Sequence, residues 1–393
     1  MYDIGIIGGG TAGMTAAIYG QRAGKRTIII EGGTFGGQIT SSPNVENYPG
    51  IASVSGSEFS MNLLDQAMKL GAETQMAQVT GIRDEGEVKV IVTPEKEYPC
   101  RSIVLATGVT HRHLGVPNEE RLTGAGVSYC ATCDGMFFRG KEVAVVGGGN
   151  VAMDCARSAI RCHAKEVTVI YRRRQIDMTA LPSEIQGAIE EGVELLTLNA
   201  PVKINADAEG NVCGFVAQPQ IISVYDKQGK PSVTVANKPE IEVPCEVVLM
   251  AIGQDIVSAP FAEYDVNPRR KTFETLDTTR LKSYDKIFSG GDCVFGPATV
   301  IKAIGAGKVA ALNIDEYLGY HHKYLEDIKI PEPRENDRTH YGRVHLTDRS
   351  ARERKNNFEP VENGMSYDEA MQECGKCLRC DHFGCGVVEG GRV

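Results

Sequence analysis

Ile4-Gly5-Ile6-Ile7-Gly8-Gly9-Gly10-Thr11-Ala12-Gly13-Met14 decides the fold. Ile4–Ile7 reads as a short apolar strand, and Met14–Arg22 has helical periodicity. Between them Gly8, Gly10 and Gly13 stand at the spacing G-x-G-x-x-G. The first glycine permits a tight turn, the second lets a pyrophosphate approach the backbone, and the third lets helix pack closely on strand. The free N–H groups and dipole at the helix start then face the phosphates. Arg26–Ile30 is a second strand, and Glu31 at its end is placed to accept from a ribose hydroxyl. Strand, turn, helix, strand and acid together specify a dinucleotide-binding βαβ unit.

The same grammar returns about 140 residues later. Glu142–Val146 leads into Gly147, Gly149 and Ala152, then a helix to Ile160 and a strand at Glu166–Tyr171. Alanine in the third position is a tolerated variant. No carboxylate ends this second strand. Arg172, Arg173 and Arg174 follow it, a set suited to a 2′-phosphate, so NADPH is favoured over NADH. A strand running into glycine also occurs twice, at Ala106-Thr107-Gly108 and at Glu246–Gly253.

Elsewhere Glu58–Leu70, Pro182–Glu191 and 299–318 read as helices, and 195–245 alternates in strand fashion. Residues 320–360 read as an extended polar connection, followed by a short helix at Tyr367–Glu373.

The 393 residues are 42% hydrophobic and 24% charged, which excludes fibrous, disordered and small disulfide-stapled classes. A net charge of −9 leaves no electrostatic footprint for nucleic acid. No apolar run approaches the ~18 residues of a membrane span. The chain enters a strand pattern at once, so no secretory signal is expected and a cytoplasmic location is. In a reducing compartment the twelve cysteines are catalytic, metal-binding or buried rather than structural disulfides.

Two cysteine groups stand out. Cys130-Ala131-Thr132-Cys133 is a C-x-x-C pair suited to dithiol–disulfide exchange, with Asp134 beside it to shuttle a proton. Its bland readings are two buried thiols or half a zinc site. Cys374, Cys377, Cys380 and Cys385 bring four thiolates within twelve residues, the tight spacing that wraps a [4Fe-4S] cluster. Zinc, or no metal, remains the alternative there. Cys100, Cys155, Cys162, Cys213, Cys245 and Cys293 are scattered and read as core.

Gly8–Gly13, Glu31, Gly36-Gly37-Gln38, Asn44–Gly50 and Ala106–Gly108 resemble the FAD domain of bacterial-type thioredoxin reductases. Ser289-Gly290-Gly291-Asp292-Cys293 is similar to that family's second FAD motif. The resemblance implies FAD in the first site, with Gly37, Gln38, Asn47, Thr107, Gly108, Gly291 and Asp292 among the cofactor-binding residues. Gly253, which ends the second strand-then-glycine segment, is a further cofactor-binding candidate. Cys130-Ala131-Thr132-Cys133-Asp134-Gly135 matches the family's redox motif. It implies that Cys133 faces the flavin and Cys130 attacks a partner disulfide.

From Tyr171 to Glu194 the chain instead resembles the small subunit of glutamate synthase and NADPH:ferredoxin transhydrogenase subunits, which feed iron–sulfur clusters. The stretches Asn357–Glu362 and Cys377–Asp381 resemble the linker before clusters in that group. The expectation is an α/β fold with two Rossmann-like three-layer nucleotide-binding domains, one inserted in the other, plus a C-terminal cysteine-rich extension. The FAD domain would be 1–115 and 250–320, the NAD(P)H domain 116–249, and the tail 321–393.

The expected function is electron exchange between NADPH and an iron–sulfur protein or ferredoxin. It would run through FAD and a C-terminal [4Fe-4S] cluster, in an oligomer or larger redox complex. The alternative is a thioredoxin reductase-like disulfide reductase, with a thioredoxin-like partner and Cys130/Cys133 as its working pair.

Overall fold

The computed structural model describes residues 1–225, 231–322 and 342–375, with the side chains of Thr132, Cys133, Met136 and Pro231 outside that description. Cys377, Cys380 and Cys385 also lie outside it. The described residues form two α/β units. One holds 1–110 and 254–322; the other holds 111–253 and 342–375.

The first unit is built on a seven-stranded sheet. Its parallel part orders Glu73–Met76, Thr27–Glu31, Tyr2–Ile7 and Glu97–Leu105, with Ile287–Ser289 also paired to the last. Gly81–Glu85 and Val88–Val92 extend it antiparallel. Strands Tyr2–Ile7 and Thr27–Glu31 are buried on both faces, which is why they read as unbroken apolar runs. The helix Thr11–Arg22 packs on Val300–Tyr317. The two approach so closely that a Cβ on Gly307 would lie 2.2 Å from the Ala12 carbonyl oxygen.

The second unit has a five-stranded parallel sheet. Its order is Glu194–Thr197, Glu166–Tyr171, Glu142–Val146, Val247–Met250 and Val127–Ser128. Helices Asn150–Arg161 and Pro182–Glu191 cover one face. An antiparallel sheet led by Asn199–Ala206 and Val212–Tyr225 follows in sequence.

The stretch read as an extended connection is, over 342–375, a folded part of this second unit. A short helix, Ala351–Arg354, is capped by Ser350 and buries Arg354 at 3% exposure. Arg354 Nε donates to Glu191 Oε1 at 2.9 Å, and its terminal nitrogens pair with Glu190 and Asp348. Arg157 and Arg161 converge on the same Glu191, whose side chain is fully buried. Hydropathy hides such an anchor, because the buried surface is guanidinium and carboxylate.

Candidate functional site

Each unit carries one glycine turn, and the two turns are built alike. Gly8 has φ +108°, and a Cβ there would lie 2.2 Å from the Ala106 carbonyl oxygen. Gly147 has φ +150°, and a Cβ there would lie 2.3 Å from the Ala251 carbonyl oxygen. In both units the strand-then-glycine segment presses on the first glycine of the motif, so no side chain is admitted. The two local repeats of the sequence therefore meet in space, pairwise.

In the first unit Glu31 accepts from the backbone N–H of Gly9 (2.6 Å) and of Gly33 (2.7 Å). The Gly36 N–H donates to Gly9 O (2.8 Å), and a Cβ on Gly37 would lie 3.3 Å from Gly10 Cα. Gln38 Nε2 donates to Val109 O, and its Oε1 accepts from Gln254. A Cβ on Gly291 would come within 2.9 Å of Ala12 Cβ, which sets Gly291 and Asp292 beside the first helix turn. Burial holds the Asp292 carboxyl above its ordinary value. Space beside Gly10 and Gly108 is open, and Thr107 Oγ1 is buried beside the Cys293 thiol. Asn47 is exposed on the loop closed by paired Val45 and Val54.

In the second unit Gly149 caps the helix Asn150–Arg161, and Ala152 is fully buried. The Tyr171 ring lies over Gly148, and its hydroxyl donates to Asp177 O. Gly253 has φ +89° and its carbonyl accepts from the Arg112 N–H. The three arginines divide. Arg174 is committed to Asp177 through two bonds of 2.9 Å and also reaches Tyr225. Arg172 is exposed, and Arg173 keeps a buried Nε with no partner among the described residues. An i,i+3 carboxylate thus already pairs with one of the three.

Cys130 is disulfide-bonded and opens the short helix Ala131–Asp134 in this same unit. The Asp134 N–H donates to Cys130 O at 3.2 Å. Two thiols read from the sequence as core flank that turn. The Ala131 N–H donates toward Cys155 Sγ, and Cys162 Sγ lies 3.4 Å from where a Cβ on Gly135 would sit. Burial pushes the Cys155 thiol up to about 11, and it raises Cys162 as well.

A polar cluster beside Cys130 escaped the sequence reading. Tyr129 donates to Glu119 Oε1 at 2.7 Å and lies 2.8 Å from His113 Nδ1, while the His111 and Tyr129 ring centroids are 5.3 Å apart. Burial pushes the Glu119 carboxyl up. Bonds from Tyr129 and the N–H groups of Leu114, Gly115 and Val116 outweigh it and hold it below its ordinary value. Burial, with His113 nearby, lowers His111.

Cys374 is an exposed free thiol in the helix Tyr367–Gly375. That helix is tied back through Glu373 to the Val344 N–H (2.6 Å) and through Gln372 to Gly342 O. Among the described residues no three His, Cys, Asp or Glu side chains form a metal-holding group. No described helix is long and apolar enough to cross a membrane.

The family model for pyridine nucleotide-disulphide oxidoreductases matches residues 2–307. Thioredoxin reductase of Bacillus subtilis (strain 168) is 34% identical over 330 residues, covering 84% of this chain and 98% of the relative. That of Mycolicibacterium smegmatis is 34% identical over 320 residues, 81% of this chain and 97% of the relative. Among solved structures, Lactococcus lactis thioredoxin reductase superposes with a TM-score of 0.63 at 33% identity, covering 81% of this chain and 99% of its own. The T. acidophilum enzyme superposes at 0.61 with 27% identity, covering 81% of this chain and 98% of its own.

Proposed function

The chain belongs to the pyridine nucleotide-disulphide oxidoreductase family and is a flavin-dependent NAD(P)H oxidoreductase, and we propose that it is an NADPH-dependent reductase of protein disulfides. The observation that carries this is the disulfide at Cys130, held in a C-x-x-C turn on the same unit as the Gly147 nucleotide loop.

The residues present fit both cofactors of that family. FAD would lie along Gly8–Gly13, with Glu31 turned to its ribose and Gly37, Gln38, Asn47, Thr107, Gly108 and Asp292 around it. The open space beside Gly10 and Gly108 leaves room for it. NADPH would lie on Gly147, Gly149 and Ala152, its 2′-phosphate taken by Arg172 and Arg173. When bound, FAD supplies the hydride-accepting chemistry that links nicotinamide to thiols.

In the dithiol state Cys130 attacks the partner disulfide, Cys133 closes the internal disulfide, and Asp134 returns the proton to the leaving thiolate. The partner would be a thioredoxin-like protein in the cytoplasm. The test is NADPH oxidation by the purified chain with a thioredoxin-type disulfide. Cys130→Ser should abolish it and leave nicotinamide binding intact. Wild-type chain that binds NADPH and flavin yet reduces no protein disulfide would overturn the reading.

A second reading rests on the anchored tail. Cys374 ends a helix fixed to the second unit, and it opens the set Cys374, Cys377, Cys380, Cys385. These four would hold a [4Fe-4S] cluster, or zinc, as a one-electron outlet to ferredoxin or an iron–sulfur subunit in a larger complex. The resemblance of 171–194 to glutamate synthase small subunits supports it. Iron and sulfide content, with an anaerobic NADPH titration followed in the visible spectrum, separates the two metals and decides whether a cluster takes electrons.

A further inference from the structure

The redox turn has thiols on its flank that the reductase cycle does not use. Cys155 and Cys162 stand seven residues apart on the helix Asn150–Arg161 and its C-cap, hence on one face two turns apart. That face meets the C-x-x-C turn: Cys155 at Ala131, the residue bonded to Cys130, and Cys162 at Gly135. Ala131, Cys155 and Cys162 pack on one core cluster.

We infer that Cys155 is an internal exchange partner of Cys130, able to form a Cys130–Cys155 disulfide that withdraws Cys130 from its protein substrate. The inference rests on the disulfide reductase reading. Cys155 as thiolate attacks Cys130 Sγ. The Cys130–Cys133 bond breaks, the Cys130–Cys155 bond forms, and Cys133 leaves as thiolate and takes the proton that Cys155 released. Electrons balance without an oxidant, because one disulfide replaces another.

Burial sets the pace. With the Cys155 thiol pushed up to about 11, about one molecule in a thousand carries the thiolate at pH 8. The exchange is therefore slow against turnover and yields a resting isomer of the oxidised enzyme. Cys162 faces the far end of the turn and serves as the control.

The test uses the full chain carrying Cys133→Ser, equilibrated with oxidised glutathione and mapped by mass spectrometry of unreduced peptides. Glutathione first caps Cys130; Cys155 then displaces it, so the net step oxidises two thiols and releases two glutathione molecules. The expected product is a Cys130–Cys155 linked peptide in most molecules. The double variant Cys133→Ser/Cys155→Ser should instead keep Cys130 glutathionylated, and Cys133→Ser/Cys162→Ser should still cross-link.

Persistent glutathione on Cys130 in the Cys133→Ser chain, or a Cys130–Cys162 link, overturns the inference. Unreduced digests of wild-type chain keep the two readings apart. Absence of any Cys130–Cys133 peptide would sink the reductase reading itself, whatever Cys155 does.

Discussion

Removing Arg173 should change which nicotinamide the protein prefers. Its Nε is buried with no hydrogen-bond partner among the described residues, and no carboxylate ends the preceding strand to read a 2′-hydroxyl. A hydrogen bond to a charged group contributes about 1.5–3 kcal/mol. At about 1.4 kcal/mol per decade, Arg173→Ala should lower kcat/KM for NADPH by roughly 10- to 150-fold. NADH has no 2′-phosphate and should change less than about twofold. The assay is steady-state oxidation of each nicotinamide with a fixed acceptor, at several salt concentrations. Added salt should narrow the wild-type preference, since the contact is ionic.

Arg174→Ala makes the comparison sharper. Arg174 already holds Asp177 by two bonds, so its removal should cost NADPH less than removal of Arg173. It does leave Asp177 unpaired nearby, and a modest loss for NADPH is expected through that negative charge. The reasoning fails if Arg173→Ala leaves the preference unmoved while Arg174→Ala collapses it.

Glu191→Gln should destabilise the second unit by about 3–5 kcal/mol, because three guanidinium groups converge on one buried carboxylate; thermal unfolding checks it. Arg354→Ala should leave the parallel sheet folded but raise hydrogen exchange across 342–375, and unchanged exchange there would contradict the anchor. Tyr129→Phe should cost about 1.5–3 kcal/mol near neutral pH by deleting the bond to the Glu119 carboxylate. The Glu119 pKa is lowered in the fold, so its contribution is present above the unfolded pKa and lost as pH falls through the folded one. The stability gap between wild type and Tyr129→Phe should therefore close on acidification, and a gap constant down to pH 3 would refute the assignment.

What was legible in the sequence was whatever the backbone alone decides. Gly8 and Gly147 could be read because a turn against a neighbouring carbonyl excludes every Cβ, and that exclusion leaves a mark within a few residues. What stayed hidden depends on pairing across the fold. Arg354 sits in a polar stretch, and its burial is made tolerable by Asp348 together with Glu190 and Glu191, the last of them 163 residues earlier. Cys155 packs on the core as its sequence suggests, but its neighbour in space, the turn at Ala131, lies 24 positions away. Tyr129 adjoins Cys130 in sequence, yet its role shows only with Glu119 and His113 around it. The Arg174–Asp177 pair is legible from sequence alone, since Asp177 stands three positions on and such pairs form readily.

The duplicated turn also separates what folds the chain from what it binds. Gly8 against Ala106 and Gly147 against Ala251 are the same steric solution, reached by the same strand-to-glycine segments. A pyrophosphate lying on either backbone would meet much the same environment. Discrimination is therefore expected from the residues at the end of the next strand. There one unit offers Glu31, already bonded to its own loop, and the other offers the exposed Arg172 and also Arg173, whose buried Nε has no partner among the described residues. Exchanging these strand ends should move nucleotide preference with them while both glycine turns remain folded. If preference stayed with the turns, the glycines would be readers as well as scaffolding.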